Sequence, residues 1–218
     1  MRRYAYIFAV LVVMLIGLCV WQKFVSTTES ISAVTAPIEP RPALWAQSID
    51  PSYHLYKMND ELYRSALPRA DDVPWLLQQN VKTVINFYQK PDSSWLQTSS
   101  IEQVHIPLRT DRINDVDVIR VLRSISSAQQ QGKVLIHCKH GQNRTGLIAA
   151  MYRVVFEDWS KADAMAEMQQ GFGGEARMGG AIVYFNKVDV AAIQQALASD
   201  SCSTRRLAWC KAVQWLQG

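Results

Sequence analysis

One cysteine and one arginine, Cys138 and Arg144, stand with five residues between them in the segment His137-Cys138-Lys139-His140-Gly141-Gln142-Asn143-Arg144-Thr145-Gly146. The segment follows the short apolar run Val134-Leu135-Ile136 and precedes a long helical pattern. A loop between a strand and a helix aims consecutive backbone N–H groups and the positive end of a helix dipole at one point, which makes an anion site. A thiol at the mouth of that loop feels the same field. Its thiolate is favoured, and it becomes a nucleophile near neutral pH. Arg144 can return to the loop as a two-pronged partner for phosphate oxygens. Gly141 lets the backbone turn tightly around the anion. The Thr145 hydroxyl can donate to the sulfur. His137 reads as a supporting group, because a thiolate held by a loop needs no base.

Other uses of Cys138 fit less well. A buried structural cysteine would not require Arg144 at that spacing. A zinc site with His137, His140 or His105 would need a second ligand cluster, and adjacent side chains at a strand end diverge. A peroxidatic or disulfide-exchange cysteine would also leave Arg144 unexplained.

The elements that must position this loop can be read from the pattern around it. Leu62 to Ser65 and Lys82 to Phe87 read as strands, as does Gln103 to Leu108, and Val134-Leu135-Ile136 reads as a central parallel strand. Asp71-Asp72 with Pro74 opens a helix to Asn80. Asn114 or Asp115 caps another, carrying Val118, Ile119, Leu122 and Ile125 at helical spacing, and Gly132 ends it. Further helices are expected over Arg144 to Glu157, Ser160 to Gln170, Asn186 to Ala198 and Thr204 to Leu216. Gly171-Phe172-Gly173-Gly174 with Gly179-Gly180 reads as a loop. Strands alternating with helices predict a single α/β domain with a mostly parallel sheet flanked by helices on both faces.

The remainder of the chain sets the compartment. Tyr4 to Trp21 carries no charge and as a helix would span ~27 Å, close to a bilayer's hydrocarbon core. Arg2 and Arg3 precede it, which keeps the first residues in the cytoplasm and exports the rest of the chain. No small-residue cleavage site lies close behind the span, which favours an uncleaved anchor over residues 1–22 rather than a signal peptide. Residues 23–44, with Pro37, Pro40 and Pro42, read as a linker, and residues 45–218 as the folded domain. The expected location is the periplasm, tethered to the inner membrane or released. Cys202 and Cys210 would sit ~12 Å apart on one helix, too far for a disulfide. They form either a bridge, with Cys202 in a turn, or two buried thiols. The net charge of +4 among 218 residues is spread along the chain, without the concentrated basic face of a nucleic-acid binder. At 49% hydrophobic and 19% charged residues, the chain is neither disordered nor a disulfide-dense miniature.

The His137-Cys138 pair with Gly141, Arg144 and Thr145 resembles the signature loop of the cysteine-dependent protein tyrosine and dual-specificity phosphatases. Leu62-Tyr63-Arg64-Ser65-Ala66-Leu67-Pro68 resembles the first core strand of bacterial dual-specificity members. The resemblance covers most of Leu55 to Gly171. Trp45-Ala46-Gln47, Asp50-Pro51 and the paired tail cysteines extend it toward periplasmic tyrosine phosphatases of biofilm-forming bacteria. It implies catalysis by Cys138, Arg144 and Asp111, with substrate held by Lys139, His140, Gly141, Gln142, Asn143, Arg144 and Thr145, and neither metal nor cofactor. It further implies a phosphotyrosine-containing protein as substrate and a membrane diguanylate cyclase as a partner. The mechanism needs a general acid on another loop. Asp111, just after the strand that ends Ile106-Pro107-Leu108, matches the family's position and the correct sheet edge. Asp115 is second; Asp115 and Asp117 are explained as helix-start residues, and Asp92 as part of a turn. Arg109 and Arg112 should lower the pKa of Asp111. A lone lysine in the loop favours phosphoprotein over inositol-lipid substrates. Lipid or isoprenoid phosphates, and phosphate binding without turnover, are the alternatives.

Overall fold

In the computed structural model, which describes residues 41–97, 100–172 and 178–205, Val134-Leu135-Ile136 lies inside a strand that ends one residue before Cys138. The strands are β1 (Gln47–Asp50), β2 (Leu55–Lys57), β3 (Leu62–Ser65), β4 (Val81–Asn86), β5 (Glu102–His105) and β6 (Lys133–His137). Their order across the sheet is β1-β2-β3-β6-β4-β5. Strand β6 therefore sits between β3 and β4, parallel to both. Strand β5 continues the parallel half beside β4, whereas β1 and β2 add antiparallel pairings. The sheet is mixed: three of its five pairings are parallel, as expected, and the two made by β1 and β2 are antiparallel. Strands β1 and β2 carry little signal in sequence. Gln47-Ser48-Ile49 is exposed, and β2 has three residues, too few for an alternating pattern. The β2–β3 turn is instead fixed by Asn59, whose side-chain carbonyl accepts from the amides of Glu61 and Leu62.

Six α-helices are described: α1 (Val73–Gln78), α2 (Asp115–Gln129), α3 (Asn143–Phe156), α4 (Lys161–Gln170), α5 (Gly179–Lys187) and α6 (Val190–Ala198). Side-chain alternation along the strands divides the core. Leu62, Ile85, Val134 and Ile136 join the cluster built with residues of α2 to α6. Tyr63, Val84 and Leu135 join the other, with Leu76 of α1, Trp95 and Leu96. The two faces are thus covered by different elements, as alternation with period two requires. Helix α3 is buried from Thr145 to Val155, as befits the helix that starts at the signature loop.

The single helix expected over Asn186 to Ala198 is two helices. Val188 is extended, and Asp189 caps α6 by accepting from the Ala192 amide. Gly179 and Gly180, read as loop, open α5. A Cβ on Gly180 would lie 2.5 Å from the Thr110 carbonyl oxygen, so glycine permits α5 to press on the segment carrying Asp111. The helix expected from Thr204 lies outside the described residues beyond Arg205, where Cys210 also falls. Cys202 is disulfide-bonded. The N-terminal span likewise lies outside, and among the described residues no helix is long and apolar enough to cross a membrane.

A buried ionic group fastens α3 to α4. Arg153 donates from Nε and Nη2 to the two oxygens of Glu167, both at 3.0 Å, and from Nη1 to Glu157 at 2.5 Å. Glu167 also accepts from the Ala46 amide at 2.6 Å. Arg41 donates to the Ala46 and Gly171 carbonyls and stacks on Trp45, Tyr56 and Phe172. Ordered packing therefore begins inside the segment read as linker. Removing one member of a buried pair strands the other charge. Glu167→Ala is accordingly expected to lower stability by about 3–5 kcal/mol, as read by urea unfolding; a loss below about 1 kcal/mol would mean the pair is not what secures these helices.

Candidate active site

Between the end of β6 and the start of α3, the chain makes one tight loop whose carbonyls are engaged outward. The His137 carbonyl accepts from the Phe87 amide at 2.8 Å, and that of Lys139 from the Leu67 amide at 3.3 Å. The His140 carbonyl lies 3.0 Å from Nδ1 of His54, and the Gly141 carbonyl accepts from Nη2 of Arg64 at 2.5 Å. Gly141 has φ +70°, and a Cβ there would lie 2.6 Å from the Ala66 nitrogen and 2.7 Å from the Ser65 carbonyl carbon. Only glycine fits both the angle and the space. No side chain caps the first turn of α3; Gln142 donates instead to the Phe172 carbonyl at 3.0 Å. With carbonyls tied outside, the loop's amides are left for its interior.

Cys138 is 1% exposed. Burial alone pushes its thiol up, but the Thr145 hydroxyl and amide, the Arg144 charge and the His140 amide outweigh it and hold the pKa below the ordinary value. The Thr145 hydroxyl is buried and meets no other hydrogen-bond partner, which leaves it for the sulfur. Arg144 donates from Nη1 to the Phe87 carbonyl at 3.3 Å and lies over the Tyr88 ring. Beneath the loop, Nε2 of His137 sits 2.9 Å from Oδ2 of Asp92. The other oxygen of Asp92 accepts from Trp95 Nε1 and Asn86 Nδ2, each at 2.9 Å.

Asp111 and Arg144 line the same cavity of about 310 Å³, together with Gln89, Leu108 and Asn143. The chain reaches this edge because the amides of Ile106 and Leu108 continue bonding to Asn86 and Phe87 after β5 ends. Arg109 grips both oxygens of Asp111, at 3.2 and 3.0 Å, and Arg112 approaches to 3.7 Å. The Arg109 hydrogen bonds hold the Asp111 carboxyl below the usual carboxylate range. Asp115 is committed elsewhere. It accepts from the hydroxyls of Tyr184 and Thr204 and borders a separate cavity of about 640 Å³. The larger cavity is therefore not the one holding the reactive groups.

The profile of the tyrosine phosphatase family matches residues 52–203. The chain belongs to that family. It is 46% identical over 178 residues to the dual specificity protein phosphatase TpbA of Pseudomonas aeruginosa strain UCBPP-PA14, covering 81% of this chain and 82% of that one. The crystal structure of P. aeruginosa TpbA superposes with a TM-score of 0.71, covering 72% of this chain and 99% of that one at 46% identity. A cysteine-to-serine variant of TpbA in complex with phosphotyrosine gives 0.70, covering 72% and 98% at 45% identity.

Within this phosphatase, the structure brings together the expected Cys138, Arg144, Thr145 and Gly141, with Asp111 on the same cavity as Arg144. Lys139 and His140 are exposed at the loop's outer turn. Asp92, a turn residue by its sequence context, is 3% exposed and anchors His137. Its role is invisible in sequence, because nothing local to Pro91-Asp92-Ser93 shows that β4 and β6 lie side by side. Arg64 also escapes sequence reasoning, since an arginine in a strand ordinarily reads as surface.

Replacing Thr145 by Val keeps the shape and removes the hydroxyl. A hydrogen bond to a charged group contributes about 1.5–3 kcal/mol, so the pH midpoint of Cys138 alkylation by iodoacetamide should rise by about one unit or more. An unchanged midpoint would remove Thr145 from the thiolate's support.

Proposed function

We propose that the protein is a dual-specificity tyrosine phosphatase of the periplasm working through a cysteinyl-phosphate. The observation that carries this reading is the convergence of the Thr145 hydroxyl and amide, the His140 amide and the Arg144 charge on one buried sulfur. The thiolate attacks phosphorus as the bond to the phenolic oxygen breaks, and protonated Asp111 gives that oxygen its proton. Arg144 and the amides of Lys139 to Thr145 hold the three equatorial oxygens throughout. Water then attacks the phosphorus and passes its proton to Asp111. The P–S bond breaks, phosphate leaves and the thiolate is restored.

The likeness to the phosphotyrosine complex of the TpbA variant supports the choice of phosphotyrosine. The uncharged span Tyr4 to Trp21 behind Arg2 and Arg3 supports export with a tether at the inner membrane. A membrane diguanylate cyclase as the regulated partner rests on the resemblance to periplasmic phosphatases of biofilm-forming bacteria, and a tethered enzyme would meet such a substrate at the bilayer. Fractionation of cells producing the full chain tests the location; recovery in the cytoplasm would remove it.

Cys138→Ser is expected to abolish release of p-nitrophenol from its phosphate ester while leaving vanadate binding detectable, since the amides and Arg144 persist. Activity within tenfold of the unaltered protein would exclude Cys138 as nucleophile.

Asp111 is held below the usual carboxylate range, so its acid form falls tenfold per unit as pH rises above that pKa. Turnover should therefore peak on the acidic side and decline toward alkali. Asp111→Asn should lower kcat by ~10²–10⁴-fold and flatten that decline. The same loss from Asp115→Asn instead would transfer the role.

A further inference from the structure

Arg64 lies at the centre of β3 and is 1% exposed. One of its nitrogens, Nη2, donates to the Gly141 carbonyl at 2.5 Å. Its Nε and Nη1 are buried without a hydrogen-bond partner. The guanidinium carbon stands 3.3 Å from the centre of the Phe172 ring, and Phe172 is also where Gln142 of the loop is tied. Among the described residues, no carboxylate lies within ion-pair distance of Arg64. Burying a guanidinium without a counter-ion is costly, and retention of the charge calls for an anion nearby.

The charged groups around Arg64 can be enumerated. From α4 comes Glu167, from the N-terminal segment Arg41, from β2 Tyr56 and from the loop Cys138. Glu167 is already gripped by Arg153, and Arg153 shares Glu157 as well. Among the described residues, three guanidiniums, Arg41, Arg64 and Arg153, thus face two carboxylates, Glu157 and Glu167. One positive charge remains. Burial pushes the Arg64 pKa down to about 10, which leaves it protonated at neutral pH. On the loop's other side Cys138 meets Arg144, Thr145 and the His140 amide.

We propose that Arg64 is a positioning residue of the phosphatase: from behind the signature loop it fixes the Gly141 turn and supplies a buried positive charge that the Cys138 thiolate, and then the substrate phosphate, balances. Arg144 approaches the anion itself and can reach substrate; Arg64 acts through the loop and through its field. Phe172 holds the guanidinium flat, so the Gly141 carbonyl is held by a rigid donor. The inference rests on Cys138 being the nucleophile.

The test compares Arg64→Met, which keeps length and packing without charge, with Arg64→Lys, which keeps the charge. Cys138 alkylation by iodoacetamide is followed from pH 4 to 9, with vanadate inhibition of p-nitrophenyl phosphate hydrolysis measured alongside. Arg64→Met should raise the alkylation midpoint by about 0.5–1 pH unit, slowing alkylation at pH 6 by about 3–10-fold, and weaken vanadate inhibition at least tenfold. Arg64→Lys should keep the midpoint within about 0.3 unit. A folded methionine variant with an unmoved midpoint overturns the proposal, as does a lysine variant shifted by a full unit. Should the methionine variant not fold, Arg64→Gln takes its place under the same criterion. If instead the Cys138→Ser protein retains turnover, it is the nucleophile assignment that fails, whatever the Arg64 variants show.

Discussion

A chain that leaves β6 at His137 and re-enters a helix at Asn143 has five residues in which to reverse its hydrogen bonding, and this constraint governs the rest of the site. Within that span every carbonyl from His137 to Gly141 except that of Cys138 is taken by a partner outside the turn: Phe87, Leu67, His54 and Arg64. Outward carbonyls oblige the amides to look inward. The interior is then a place where negative charge is favoured, and the residue standing there is a buried cysteine. Its thiolate is favoured first by the Thr145 hydroxyl, and then by the Thr145 amide, the Arg144 charge and the His140 amide.

The neighbouring strands exist at the right places to make those outside partners available. Strand β3 lends Arg64 and the Ser65–Ala66 peptide against which Gly141 packs. Strand β4 runs on to Phe87, whose amide and carbonyl hold His137 and Arg144 respectively. From the face of the sheet that carries Trp95, the Asp92 carboxylate holds the His137 ring. Three segments far apart in sequence therefore meet on one five-residue turn. Such over-determination is what allows a loop to keep a strained, glycine-dependent shape.

The proposed general acid is organised differently. Asp111 is exposed and clasped by Arg109 and Arg112, while the proposed nucleophile Cys138 is buried. Exposed ion pairs are weak and readily exchanged, so Asp111 can leave its arginines for a leaving oxygen at little cost. The same clasp lowers its pKa, which ties the proposed acid role to acidic solution. Gly180 sets the backbone of α5 against Thr110, which fixes the base of this loop.

Spacing alone singled out Cys138, Arg144, the Gly141 turn and the strand–loop–helix frame around them, because these depend on residues within ten positions of one another. The cap at Asn114 and the apolar faces of α2 and β6 were legible for the same reason: local hydrogen bonding and periodicity are written in consecutive residues. The sequence pattern could not reveal β1 and β2, whose exposed or very short stretches lack a period, nor the break at Val188-Asp189 between two apolar helical runs. It also passed over Asp92 and Arg64. Whether a lone aspartate is a turn residue or a buried anchor, and whether a strand arginine faces water or lies beneath a catalytic loop, is decided by which strands become neighbours. That adjacency is a long-range property of the packed sheet, and only the tertiary structure holds it.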